Sequence, residues 1–198
     1  MTLAPFAIDR HEVSNRQYRL CVRAGRCSEP ISPSGMPTYV EADKDMPILS
    51  VTARQAADFC RFLGRRLPTD AEWERAARGP DGTTWPWGND PATSRRANLD
   101  FGGDSKLAAV DDPRYAAGDS AEGAAQMVGN AAEWTSTPAS CARYRCRTWD
   151  GRARVPALWS RGRGWRSGAA AVSGDDAIQV DSGRPDQDQG FRCAADRN

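Results

Sequence analysis

The sequence predicts one α+β domain of short helices, short strands and long irregular connections. Three observations carry that prediction. Three helix starts show a capping box, in which a hydroxyl accepts from the N3 amide while a Gln or Glu at N3 reaches back to the N-cap amide. Strand candidates are few and short. The remainder is punctuated by 18 Gly and 13 Pro, which break periodic patterns into turns.

The capping boxes are Ser14 with Gln17, Thr52 with Gln55, and Thr69 with Glu72. The first helix places Tyr18, Cys21 and Val22 on one face. The second places Ala56, Phe59, Cys60 and Leu63 together and stops at Gly64. The third does the same with Trp73, Ala76 and Ala77 and stops at Gly79. Strands are expected at residues 6–8, 127–128 and 190–194. Residues 88–126 and 136–188 are expected to be long connections, and a compact domain needs disulfides, bound ions or tryptophan packing to hold such segments. The turn WPWGN at residues 85–89 is expected to pack on the third helix, because large aromatics are usually buried.

Length and charge bound the function. The 198 residues suit one domain, residues 1–198, and the balance of 27 basic against 26 acidic residues, without a basic run interleaved with aromatics, excludes a nucleic-acid footprint. No apolar run approaches the ~20 residues that cross a bilayer, and residues 1–6 lack the regions of a signal peptide. Six cysteines, two pairs of them close in sequence, read as a disulfide framework in an oxidising, extracytoplasmic compartment, with Cys21 paired to Cys27 and Cys141 to Cys146 by proximity. Structural zinc is the rival reading, for which a single histidine, His11, offers little.

Five segments occur in a fixed order: DRHEVSN at 9–15, RLPTDAEWERAARG at 66–79, WPWGN at 85–89, VGNAAEW at 128–134 and GFRCA at 190–194. Together they make residues 6–194 resemble the formylglycine-generating enzyme (sulfatase-modifying factor) family. The resemblance implies a C-type-lectin-like fold, with a small twisted antiparallel sheet and few helices supporting long ordered loops. It also implies a Cys60–Cys193 bridge between the second helix and the final strand, and an additional glycine-bearing segment upstream, so that this domain is the C-terminal part of a larger protein.

The same resemblance implies structural calcium. Carried over, one site uses the Gln126 side chain, the Gly129 and Ala131 carbonyls and the Glu133 carboxylate, oxygen donors of the kind calcium takes. A second uses Asn98 and Leu99 with Asp104. Gln126 stands where many members carry an acid or Asn. Oxidases of the family bind copper(I) through two cysteines five residues apart, after a C-terminal glycine-rich turn; soft thiolates are what copper(I) requires. Here that turn reads RGRGW at 161–165, and the count places Ser167 and Val172 at the two cysteine positions. Copper is therefore not expected.

The polar, small-residue segment after Trp165 suits exposed loops. In diversified relatives it forms the variable ligand-binding face. Trp149, Trp159, Arg161, Arg163, Trp165, Ser167, Asp175, Gln179, Asp181 and Arg184 are the candidate ligand-binding residues. The expected function is non-catalytic binding of a protein or small molecule, as a sensor module or a receptor diversified by a retroelement. The alternative is a copper-dependent oxidase that converts a sulfatase cysteine to formylglycine.

Overall fold

In the computed structural model, which describes residues 3–30, 43–103, 105–139, 157–181, 183 and 187–197, all three capping boxes form. They open α1 (Asn15–Arg23), α2 (Ala53–Phe62) and α3 (Asp70–Arg78). The stops also follow expectation: Gly64 and Gly79 take the left-handed conformation, at φ of 69° and 66°. The strands are β1 (Phe6–Ile8), β2 (Ala132–Pro138), β3 (Ala157–Arg161), β4 (Ala177–Asp181), β5 (Gln189–Gly190) and β6 (Ala194–Asp196). They form a four-stranded sheet in the order β4-β3-β2-β5 and a two-stranded ribbon, β1 with β6. Neighbours are antiparallel except β2 with β5.

Two strand expectations need correction. Residues 127–128 are not a strand, and 190–194 is split between the end of β5 and the start of β6. The 136–188 segment, read as a long connection, holds β3 and β4. In β4 only Ile178 and Val180 alternate with polar residues, and β3, ALWSR, does not alternate, so over five residues each the signal is weak beside the strong turn residues around them.

The main core lies between α1, α2 and the sheet. Tyr18 stacks on Phe59 at 5.6 Å, and Phe191 meets Phe59 edge-on at 5.6 Å. Trp134 is buried beside them and donates its indole N–H to the Val51 carbonyl at 2.8 Å. Cys60 bridges Cys193 through this core, as the resemblance implied, and Cys21 bridges Cys27 at the end of α1. The first of these spans 133 residues, so in the chain-entropy model it contributes roughly 5 kcal/mol by restricting the unfolded chain. Cys141 and Cys146 lie outside the described residues. The two bridges are compatible with an oxidising compartment. No helix among the described residues is long and apolar enough to cross a membrane.

A second cluster packs Trp73, Ala76 and Ala77 of α3 on Ala124 and Met127, and a third joins Ala97, Leu99, Val128 and Val172. Trp85 and Trp87 stack on each other at 5.3 Å and pack on this third cluster, where packing on α3 was expected. The reason is Gly174, whose missing side chain lets the 173–176 loop approach the aromatic turn: a Cβ there would lie 1.8 Å from the Thr84 carbonyl oxygen.

Candidate functional site

Four of the five segments that carry the family resemblance, all but the turn at 85–89, converge on one buried polar cluster. Arg192, fully buried after β5, uses every N–H of its guanidinium. Its Nε donates to Glu133 Oε2 at 2.7 Å and Nη2 to Glu133 Oε1 at 2.7 Å; Nη1 donates to the carbonyls of Asp9 and Arg10, and Nη2 also to that of Ala125. Glu133 on β2 also accepts from Trp73 Nε1 of α3 at 2.8 Å. One carboxylate thus joins α3, β2 and the C-terminal segment. Bidentate pairing with charge-assisted hydrogen bonds is what a buried ion pair needs to offset its desolvation.

Glu12 forms the second half of the cluster. It accepts from the Asn130 side-chain amide at 2.9 Å and from the Ala131 backbone at 3.0 Å. Asn130, at φ of 61°, also accepts from the Asn98 amide and the Ala108 backbone N–H, both at 2.9 Å. Gly129 makes this approach possible: at φ of 83° a Cβ would lie 2.4 Å from the Asn98 carbonyl oxygen. Burial first, and the nearby Glu133 charge second, push the Glu12 carboxyl up to about 8. His11 next to it is pushed down, by burial and then by the charges of Arg10 and Arg192.

The residues assigned to calcium are therefore distributed as follows. Both Glu133 oxygens are engaged by Arg192 and Trp73. Gln126 donates to the carbonyls of Ala109 and Val110, while its Oε1 is buried with no partner among the described residues. Asn98 spends its amide N–H groups on Asn130 and the Lys106 carbonyl, Leu99 lies in the third cluster, and Asp104 is outside the described residues. Among the described residues no group of three or more His, Cys, Asp or Glu is placed to hold a metal ion.

The candidate ligand face comprises β3, β4 and the loop between them. Trp159 is half-buried and pairs in register with Gln179; Asp181 closes β4 opposite Ala157. Arg161 is drawn inward, 5% exposed. It grips Asp70 with two hydrogen bonds of 2.6 and 2.8 Å, reaches Glu74 at 2.9 Å and the Asp175 carbonyl at 3.0 Å, and lies over the Trp73 ring. It fastens α3 to β3 and presents no free guanidinium to solvent. Arg163 is half-buried at φ of 59°, its guanidinium paired with Asp176 at 3.3 Å. Trp165 lies under the Arg166 guanidinium at 5.6 Å, and the Asp175 carboxylate accepts from the Ser173 hydroxyl. Ser167 is half-buried, its carbonyl accepting from the Asp100 amide at 2.9 Å. Trp149 and Arg184 are outside the described residues.

The buried cluster residues Glu12, Asn130 and Arg192, and the anchors Asp70 and Glu74, were not singled out from the sequence, and Trp73 was read only as part of the packed face of the third helix. The signal was present, since each of the first three sits in one of the quoted motifs.

The family model of the sulfatase-modifying factor enzyme 1-like domain matches residues 1–197. The chain belongs to this family. It is 28% identical to the formylglycine-generating enzyme of Thermomonospora curvata over 98% of this chain and 83% of that protein. It is 42% identical to the hercynine oxygenase of Mycolicibacterium thermoresistibile over 98 residues, 48% of this chain and 21% of that protein. The chain thus spans a fifth to a quarter of the length of the hercynine oxygenases it matches. Among solved structures it resembles Treponema denticola variable protein 1, with a TM-score of 0.74 and 20% identity over 97% of this chain and 84% of the other. The fold is that of the formylglycine-generating enzymes and C-type-lectin-like proteins.

The raised Glu12 carboxyl makes stability depend on pH with a definite sign. Its ordinary value is 4.5 and its folded value about 8, so between these the folded state holds a proton that the unfolded chain releases. Stability from this group is complete at low pH and falls as pH rises through that window, on the order of several kcal/mol in all. Replacing Glu12→Gln should flatten the decline. Urea unfolding of both proteins at pH 5 and pH 8 checks it; the opposing His11 contribution is common to both, and equal declines would contradict the assignment.

Proposed function

We propose that this domain is a non-catalytic binding module of its family, presenting a protein or small-molecule ligand with the surface of β3, β4 and the 162–176 loop. The observation that carries the reading is the pair of residues at the oxidase copper positions. Val172 is packed into the third cluster and Ser167 offers a hydroxyl, so neither supplies a thiolate. Every cysteine among the described residues is in a disulfide. Copper does not fit this donor set.

The strained Arg163 supports the choice of surface. A non-glycine residue in the left-handed region costs about 1 kcal/mol or more and persists where its surroundings fix it, most often at ligand sites. Likeness to a variable protein supports the finer reading of a receptor whose loop is diversified. The oxidase reading draws on similarity to formylglycine-generating enzymes and hercynine oxygenases, and we place it second because the described residues offer no thiolate pair for copper(I).

Aerobic incubation of the 198-residue chain with copper(I) and a cysteine-containing sulfatase peptide should leave the peptide mass unchanged. A mass loss at that cysteine consistent with formylglycine would overturn the non-catalytic reading.

Calcium is a separate proposal with a narrower donor set than the motif implies: Gln126 Oε1, which has no partner among the described residues, and the Gly129 and Ala131 carbonyls. Glu133 is already neutralised by Arg192. With no carboxylate in the set, affinity is expected near the weak, roughly millimolar end for calcium sites. Millimolar calcium should raise the melting temperature of the wild type and not of Gln126→Leu. Identical melting curves in calcium and in chelator would remove calcium.

A further inference from the structure

On the far side of α3 from the candidate ligand face, the β1–β6 ribbon has an open edge. Residues 5, 7 and 9 face β6, as the bonds from the Asp9 amide to the Cys193 carbonyl and from the Arg197 amide to the Pro5 carbonyl require. By the alternation of an antiparallel pair, the N–H and C=O groups of Phe6 and Ile8 then point the other way. They have no hydrogen-bond partner among the described residues. The opposite edge of the ribbon is closed, because Ala194 exchanges both its backbone bonds with Arg66, at 2.9 and 2.7 Å.

A groove of about 480 Å3 runs along this edge, lined by residues 3–8 with Arg75, Ala76, Glu122 and Arg197. Six residues of extended chain span roughly 20 Å, enough for a short strand. Arg75 is paired with Glu122 at 2.7 Å. The guanidinium of Arg197, exposed at the end of the groove, meets no acid among the described residues. Unpaired edge groups together with a lined groove are the features of strand addition, in which main-chain bonds supply affinity and side-chain contacts supply specificity.

We propose that the outer edge of β1 docks an extended peptide segment of a partner protein, added as a further strand and carrying an acidic side chain against Arg197. Pairing with Phe6 and Ile8 provides up to four main-chain hydrogen bonds. A second copy of the chain is the poorer occupant. A symmetric contact through this edge would add residues 3–8 of the other copy, which carry no acidic side chain for Arg197 to meet. The site is independent of the β3–β4 face and does not rest on the binding function proposed there.

The test uses a fluorescein-labelled, C-terminally amidated pentapeptide, Thr-Val-Glu-Val-Thr, titrated against the intact chain by fluorescence anisotropy. Saturable binding is expected, weakened at least tenfold by Arg197→Glu, an exposed substitution that leaves the core untouched. N-methylation of the peptide amides along one edge should abolish binding, and along the other edge should not. Absence of saturation up to millimolar protein would overturn the proposal. So would indifference to Arg197→Glu, indifference to which edge is methylated, or self-association of the chain through this edge detected by loss of a dimer in Ile8→Pro.

Discussion

The buried ion pair between Arg192 and Glu133 is the interaction on which the rest of the structure depends. Both side chains are removed from water, at 0% and 1% side-chain exposure, and a charge so placed is costly unless paired and fully hydrogen-bonded. Here the condition is met, because the guanidinium's donors reach two carboxylate oxygens and three backbone carbonyls. Those carbonyls belong to residues 9, 10 and 125, in segments with no regular structure of their own. A domain with little sheet and much irregular backbone cannot satisfy buried peptide groups by ladders alone, and the Arg192 fork does part of that task. Glu12 does it from the other side, through Asn130 and Ala131.

In the binding function proposed above, this arrangement would let the face vary without disturbing the fold. The 162–176 loop is tied to the cluster largely through backbone: Gly129 donates to the Gly162 carbonyl, Trp165 to that of Asn130, and Asp100 to that of Ser167. Main-chain bonds carry no demand on side-chain identity, so the side chains of Arg163, Trp165 and Arg166 are not what ties this loop to the cluster. Val172 and Gly174 are the exceptions, since one fills the third cluster and the other must lack a Cβ. Arg161 is a third exception. Sequence placed it on the face, while the acids at the start of α3 draw it into the body of the domain.

The helices were legible because their signals are local. Each capping box lies within four residues, and each closing glycine follows directly. The strands were less so. β1 was found from an isolated apolar run, but β3 and β4 are five residues each and gain their stability from pairing with one another and with β2, contacts distant in sequence. The site was legible at the level of motifs and not of partners. Glu133 was singled out as an oxygen donor, and its own segment offers no sign that a guanidinium 59 residues later meets it. The Cys60–Cys193 bridge was accessible only through the family resemblance, since six cysteines allow many pairings.

The claim that this pair organises the domain is tested most directly by a double-mutant cycle with Glu133→Gln, Arg192→Met and the two combined, read by urea unfolding. Each single change strands a buried charge or its partners and should cost about 3 to 5 kcal/mol. The double variant should cost clearly less than the sum, because neither charge is then left unpaired. Strictly additive losses, or single variants as stable as the wild type, would contradict it.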